Sequence, residues 1–148
     1  MIKRNAFFIF FSLLFILSFD VFAIDNIADE NIIAATLILE AGGEDHIYSM
    51  VAVYEVIRNR AALHNVTLKE VVLQPRQFSC WNDIPNRLEL YNIAKQHSKF
   101  KQALRIVREN RNTNITHGAT MFHAQYILPY WHTEFEKTFV IQNHIFYR

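Results

Sequence analysis

The sequence predicts an α+β fold, in which helices come first and a small antiparallel sheet comes last. Apolar residues recur with helical spacing up to about residue 110, whereas β-branched and aromatic residues dominate after Gly118. The two textures do not alternate along the chain, which argues against a parallel sheet with crossover helices. The chain has 148 residues and neither a repeat nor a linker, so we expect one compact domain.

The first 23 residues are predicted to be a signal peptide for export. A cationic start precedes an apolar run at positions 7–19, and seven of the thirteen phenylalanines lie in this segment. Val21 and Ala23 suit cleavage after Ala23. The alternative is a retained membrane anchor, but the run is shorter than the roughly 20 residues that cross a bilayer. We therefore expect an exported domain at residues 24–148, in the periplasm, the cell wall or the medium, with no further membrane span.

The composition argues against several classes of protein. A net charge of +1 provides no basic surface for nucleic acid. The single cysteine, Cys80, cannot form a disulfide within the chain or a multi-cysteine zinc site. Three glycines are too few for a glycine-rich phosphate loop. We expect no cofactor and no metal.

Two long helices are predicted at the start of the exported chain. The first covers residues 27–41, where Asp25 or Asn26 can cap it and Gly42-Gly43 is expected to end it in a left-handed turn. The second covers residues 45–63, where apolar residues are spaced for burial on one face. Near its end, Asn59 and Arg60 are expected to tie it to the strands.

The remaining elements are shorter. Thr67 and Glu70 stand at the two ends of a capping-box sequence, which predicts a helix over residues 68–73. Residues 77–83 are predicted to be a loop. Further helices are predicted at residues 87–97 and 98–110, and strands at residues 119–123, 138–141 and 144–147.

Glu40 is the strongest candidate for a catalytic side chain. It lies in the last turn of the apolar first helix, where an apolar setting and the negative end of the helix dipole both disfavour a charged carboxylate. A carboxyl group that stays protonated near neutral pH is what a general acid in glycosidic cleavage requires. Local sequence alone nevertheless favours an ordinary, partly exposed glutamate at a helix end.

Several short blocks, in the same order, resemble the SleB-type cell-wall hydrolases, the family of spore-cortex-lytic enzymes. They run from residue 32 to residue 147, over nearly all of the exported chain. The blocks are Leu39-Glu40-Ala41-Gly42-Gly43-Glu44, Met50-Val51-Ala52-Val53, Asn59-Arg60, Gln77-Phe78-Ser79-Cys80-Trp81, Gly118-Ala119-Thr120-Met121-Phe122-His123, Pro129-Tyr130-Trp131 and Asn143-His144-Ile145-Phe146-Tyr147.

This resemblance implies a lysozyme-like catalytic domain that acts on the glycan strands of peptidoglycan. Glu40 aligns with the family's catalytic glutamate. Such enzymes cleave between N-acetylmuramic acid and N-acetylglucosamine, as lytic transglycosylases or as muramidases. A transglycosylase needs one carboxyl group, whereas a hydrolase usually needs a second. Glu44 and Asp45 are the nearest acidic residues in the sequence, and the one-carboxylate scheme is favoured.

The chain departs from the family pattern at four positions. The family commonly has Gly where this chain has Leu39, and Arg where it has Gly42. Gln142 stands in place of a usual Gly, and His132 in place of a small residue. These departures keep open the alternative of a peptidoglycan-binding module that has lost catalysis. Because no separate wall-binding module is apparent, a partner protein is expected to help with targeting.

Seven further residues are candidates for binding the substrate. Trp81 and Trp131 stand in loop-like contexts, where an aromatic face can stack on a sugar ring. The others are Gln77, Phe78, Ser79, Thr120 and His123. For Phe78 the alternative is a core position, and for the polar four it is hydrogen bonding to the protein's own backbone.

Two other enzyme classes remain as alternatives. A zinc amidase could use ligands drawn from His123, His132, Glu134 and His144, although their spacing follows no known zinc motif. A cysteine peptidase could use Cys80 with His123, although the sequence around Cys80 does not predict a helix N-terminus that would activate the thiol.

Overall fold

The computed structural model describes residues 24–111 and 113–148, so the predicted signal peptide lies outside the described residues. Helices come first and a three-stranded antiparallel sheet comes last, which confirms the predicted α+β fold. None of the helices in the described part is long and apolar enough to cross a membrane. The elements are α1 (Asp29–Ala41), α2 (Ile47–His64), α3 (Leu68–Leu73), α4 (Arg87–Gln96), α5 (Phe100–Arg108), β1 (Met121–Ala124), β2 (Lys137–Ile141) and β3 (His144–Tyr147), together with the 3₁₀ turns Ser79–Trp81, Ile84–Asn86 and Tyr130–Thr133.

Helix α1 lies at the centre of the helical part. Seven consecutive residues of α1, from Ile32 to Ile38, are buried, because α2, α3, α4 and α5 all pack against it. A helix that is covered on every side needs apolar residues all round, and α1 has them. The one polar residue in this stretch, Thr36, donates its hydroxyl to the carbonyl of Ile32 at 2.9 Å.

The ends of α1 differ from the predicted ones. The residue before the helix is Ala28, whose side chain cannot cap it, so the predicted cap at Asp25 or Asn26 is wrong. At the other end, Gly42 has φ −65° and continues the right-handed conformation, so the predicted left-handed turn is also wrong. A Cβ on Gly42 would lie 2.5 Å from the carbonyl oxygen of Ile38, and this contact explains why a glycine stands there.

The next two helix ends carry local caps. The capping box of Thr67 and Glu70 forms at the start of α3, as predicted. Helix α2 ends at His64 and is followed by Asn65, which adopts the left-handed conformation with φ 54°. The predicted loop at residues 77–83 contains the 3₁₀ turn Ser79–Trp81.

The sheet has the order β1–β3–β2, so β3 is its middle strand. Phe146 of β3 pairs with Phe122 of β1 and with Phe139 of β2, and it is fully buried. The second helix is fastened to the start of the sheet, as predicted. Asn59 donates to the carbonyl of Ala119 at 2.7 Å, and Arg60 Nε donates to that of Thr120 at 2.5 Å.

A buried carboxylate organises the segment that leads from the helices to the sheet. Glu55 of α2 accepts hydrogen bonds from the backbone and hydroxyl groups of Thr113 and Thr116, and from the backbone of Ile115. Burial alone would raise the pKa of Glu55, but the donors from Thr116 and Thr113 hold it below its usual range. These hydrogen bonds therefore fix the segment that precedes the sheet to α2.

Candidate active site

A cleft of about 410 Å³ opens between the end of α1, the 3₁₀ turn Ser79–Trp81 and the sheet. Residues from five separate parts of the chain meet there, and only the tertiary fold brings them together. The cleft is lined by Leu39, Glu40, Arg60, Arg76, Gln77, Ser79, Cys80, Phe122, His123, Ala124, Tyr126, Ile127 and His144.

Glu40 is half-buried at the wall of this cleft. Burial raises the pKa of its carboxyl group, because the charged form loses solvation. Two neighbours act in the opposite direction and lower the pKa: the thiol of Cys80, which donates a hydrogen bond to it, and the positive charge of Arg60. The net effect is a raised pKa, which favours the protonated form that a general acid needs.

The environment of Cys80 does not suit a nucleophile. Burial and the neighbouring charge of Glu40 both raise the pKa of the thiol strongly. The reactive form of a cysteine is the thiolate, and these surroundings disfavour it. The cysteine peptidase alternative therefore lacks an activated thiol, and Cys80 instead serves as a hydrogen-bond donor to Glu40.

Arg60 supplies a positive charge beside Glu40. Its guanidinium lies over the ring of Phe78, with 5.4 Å from Cζ to the ring centroid. Burial lowers the pKa of Arg60, and the charge of Glu40 partly opposes this effect. The positive charge that acts on Glu40 thus comes from α2, the helix that carries Arg60.

The two acidic residues closest to Glu40 in the sequence do not supply a second carboxylate to the cleft. Glu44 is buried, its Oε1 lies 2.7 Å from Nδ1 of His144, and the backbone N–H of Asn143 donates to the same oxygen. Asp45 is exposed and does not line the cleft. Of the described residues, Glu40 is the one acidic side chain that lines it.

Three of the predicted substrate-binding residues line the cleft: Gln77, Ser79 and His123. Gln77 and Ser79 are exposed and free to meet a ligand. His123 is buried, and both of its ring nitrogens have protein partners. Nδ1 lies 2.9 Å from the carbonyl oxygen of Ala124, and Nε2 lies 2.9 Å from the hydroxyl of Tyr147.

The other four predicted residues lie elsewhere. Trp81 is 1% exposed, and its indole N–H donates to Thr36 at 2.9 Å, so no face of its ring is open to a sugar. Phe78 is equally buried, as the core alternative held. The backbone N–H of Thr120 donates to the carbonyl of Tyr147, and the carbonyl of Thr120 accepts from Arg60.

Trp131, the last of the four, packs edge-on against its neighbours. Its ring centroid lies 5.6 Å from that of His123 and 5.5 Å from that of Tyr147. A stacking role in the cleft does not fit Trp131 or Trp81, since neither of them lines it.

The cleft also contains residues that the sequence analysis did not single out as site residues. Arg60 belongs to a block that carries the resemblance, and Arg76, Tyr126 and Ile127 have no such signal. His144 also lines the cleft, but the sequence suggested it only as a ligand of zinc. Arg76 adopts φ 65°, and its backbone N–H donates to the side chain of Asn82. Within residues 24–111 and 113–148, no three His, Cys, Asp or Glu side chains cluster in a way that could hold a metal ion.

Comparison with models of protein families gives a match over most of the chain. The sequence model of the cell wall hydrolase family matches residues 44–147, more than half of the chain. The chain belongs to the cell wall hydrolase family. This confirms the SleB-type resemblance, and the matched segment of this cell wall hydrolase contains every cleft residue except Leu39 and Glu40. The search of curated proteins found no match to the hydrolase, and the search of solved structures found none either.

Proposed function

We propose that this cell wall hydrolase cleaves the glycan strands of peptidoglycan between N-acetylmuramic acid and N-acetylglucosamine, as a lytic transglycosylase in which Glu40 is the general acid and base. One observation carries the proposal: of the described residues, Glu40 is the single carboxyl group that lines the cleft, and its pKa is raised by burial. The membership of the family supports the cell wall as the substrate.

The proposed reaction begins with proton donation. Protonated Glu40 gives its proton to the glycosidic oxygen, and the bond from that oxygen to C1 of N-acetylmuramic acid breaks. The oxygen leaves as the hydroxyl group of the released N-acetylglucosamine. Arg60 stabilises the carboxylate that forms, because its positive charge already acts on Glu40 in the free protein.

Ring closure completes the cycle without water. The C6 hydroxyl of the same N-acetylmuramic acid forms a bond to C1, and the Glu40 carboxylate removes the hydroxyl proton. The product is a 1,6-anhydro sugar, and Glu40 is protonated again for the next turnover. A single carboxyl group suffices for both steps, which accords with the position of Glu44 outside the cleft.

The surrounding side chains have supporting roles in this proposal. Gln77 and Ser79 are exposed at the cleft and present an amide and a hydroxyl group to the acetamido groups of the substrate. His123 shapes the wall and is held by Ala124 and Tyr147. Export through the predicted signal peptide would bring the protein to its substrate, with a partner protein assisting in targeting.

Digestion of purified sacculi tests the proposal. The native protein, Glu40→Gln and the control Glu89→Gln, which changes an exposed glutamate of α4, would be compared by mass analysis of the released muropeptides. We expect native protein and control to release products one water lighter than hydrolytic ones, and Glu40→Gln to release none.

Each other outcome has a clear meaning. Equal release by Glu40→Gln would overturn the role of Glu40. Products of hydrolytic mass would overturn the transglycosylase route in favour of a muramidase. Binding of the native protein to sacculi without any release would identify a binding module.

A further inference from the structure

We propose that the loop at residues 125–130, which follows β1, is a second binding surface for the glycan strand and extends the cleft beyond the bond that is cleaved. The inference rests on the proposed function and adds a part of the molecule to it. Four features carry the argument: the exposure of the loop, its continuity with the cleft, its fixed backbone and its lack of charge.

The loop exposes large side chains to solvent. Tyr126 is 85% exposed, Leu128 is 75% exposed and Tyr130 is 88% exposed. Single apolar side chains are common on protein surfaces, but a contiguous group of this size marks a place where something binds. Tyrosines are frequent in such places, since a rigid ring offers a large contact area and loses little entropy on binding.

The exposed loop is continuous with the cleft at Glu40. Tyr126 and Ile127 line that cleft, while Leu128 and Tyr130 lie next to them along the chain and outside it. A glycan strand is a polymer, so a cleft that holds the scissile bond must let the chain leave on either side. The loop lies where a strand would leave the cleft past Tyr126.

The loop is held on a fixed frame. The backbone N–H of Gln125 donates to the carbonyl of Asn143 at 2.7 Å, and its side-chain amide donates to that of Gln142 at 2.5 Å. Ile127 closes a turn by donating to Ala124 at 2.9 Å. A surface that is ordered before binding loses less entropy when the ligand arrives.

The chemistry of the loop favours contact with the uncharged, amphipathic face of a sugar ring. Residues 124–131 contain no Asp, Glu, Lys or Arg. The C–H face of an N-acetylated sugar can stack on a tyrosine ring, while its hydroxyl and amide groups reach the phenol oxygen. Ile127 and Leu128 suit the methyl groups of acetamido and lactyl substituents. Anionic lipid headgroups would find no cation on this loop.

Binding measurements in the inactive Glu40→Gln background test the inference. The probes are long, peptide-free glycan strands and the single disaccharide of N-acetylglucosamine and N-acetylmuramic acid. We expect Leu128→Ala or Tyr130→Ala, which change residues outside the cleft, to weaken the binding of long strands by about tenfold and to leave that of the disaccharide unchanged. The control is Tyr48→Ala, an exposed tyrosine at the start of α2 that does not line the cleft.

The outcomes separate this inference from the proposed function. Equal binding of long strands by all variants would overturn the second surface, even if the native protein cleaves sacculi. Failure of the native protein to cleave sacculi would instead count against the proposed function. Sedimentation with phosphatidylethanolamine and phosphatidylglycerol vesicles that depends on Leu128 or Tyr130 would overturn the glycan assignment in favour of a lipid surface. The unfolding temperature of each variant is also measured, and an unchanged value shows that lost binding does not come from a folding defect.

Discussion

The carboxylate of Glu44 lies 2.7 Å from the imidazole of His144, and this contact joins the end of α1 to the middle strand of the sheet. Two more bonds act at the same point. The backbone N–H of Asn143 donates to Glu44 Oε1, and Lys99 donates to the carbonyl oxygen of Glu44. Glu40 lies four residues earlier on the chain, so the position of its carboxyl group depends on this junction.

We predict that Glu44→Ala lowers both stability and activity. The substitution leaves the buried side chain of His144 without its carboxylate partner, which costs about 1–3 kcal/mol in the free energy of unfolding. It also releases the chain just after Glu40, so kcat for glycan release should fall in the fraction that remains folded. Urea unfolding and sacculus digestion measure the two effects. The control is Glu134→Ala, which changes an exposed glutamate. Native-like stability and rate in Glu44→Ala would show that the junction is dispensable.

We predict that the carboxyl group of Glu40 destabilises the fold as pH rises. Because the pKa of Glu40 is raised in the folded protein, the unfolded chain releases this proton first. The folded state is therefore favoured below the ordinary glutamate pKa and loses that advantage as pH rises through the raised one. Glu40→Gln should have a higher unfolding temperature than the native protein above this window, and an equal one below it. A melting series in pH checks this, and a native protein that melts higher throughout would contradict it.

We predict that the hydrogen bond from Cys80 to Glu40 lowers the upper pH limit of activity. Its thiol lowers the pKa of Glu40 by donating a hydrogen bond, so Cys80→Ala should let that pKa rise further. The alkaline limb of the kcat/KM profile would then move to higher pH, since the protonated acid persists to higher pH. Cys80→Ser keeps a donor and should leave the limb near its native position. An identical profile for Cys80→Ala and the native protein would argue against this contact.

We predict that Trp81 matters for stability and not for binding sugar. Trp81→Phe removes the indole N–H that donates to Thr36 and should cost about 1–2 kcal/mol in the free energy of unfolding. Glycan affinity, measured in the Glu40→Gln background, should stay unchanged because the ring is buried. Trp131→Phe, which changes a tryptophan outside the core, is the matched control. A loss of affinity without a loss of stability would restore the stacking role for Trp81.

The fold was predictable wherever a local signal decides the structure. The capping box at Thr67 and Glu70 fixes the start of α3. The change to β-branched and aromatic residues after Gly118 indicates the sheet. The ends of α1 were not predictable in this way. No side chain caps its start, and contacts from four other helices stabilise α1 instead of a local sequence signal.

The site was predictable only in part, because tertiary contacts decide which side chains face the cleft. Gln77 and Ser79 reach the cleft, whereas Phe78, between them, points into the core and Trp81 bonds to Thr36, 45 residues earlier in the chain. No sequence pattern within residues 77–81 indicates that Thr36 is the hydrogen-bond partner of Trp81. Arg60 was expected to tie α2 to the strands, which it does, but its charge beside Glu40 depends on how α1 and α2 pack.

The missing side chain at Gly42 limits which groups can be placed beside Glu40. A Cβ at this position would meet the carbonyl oxygen of Ile38, so Gly42→Arg could not add a charge without shifting the last turn of α1. That turn carries Glu40, whose carboxyl group already experiences the positive charge of Arg60. A second cation introduced at residue 42 would therefore displace the very carboxyl group that it was meant to assist.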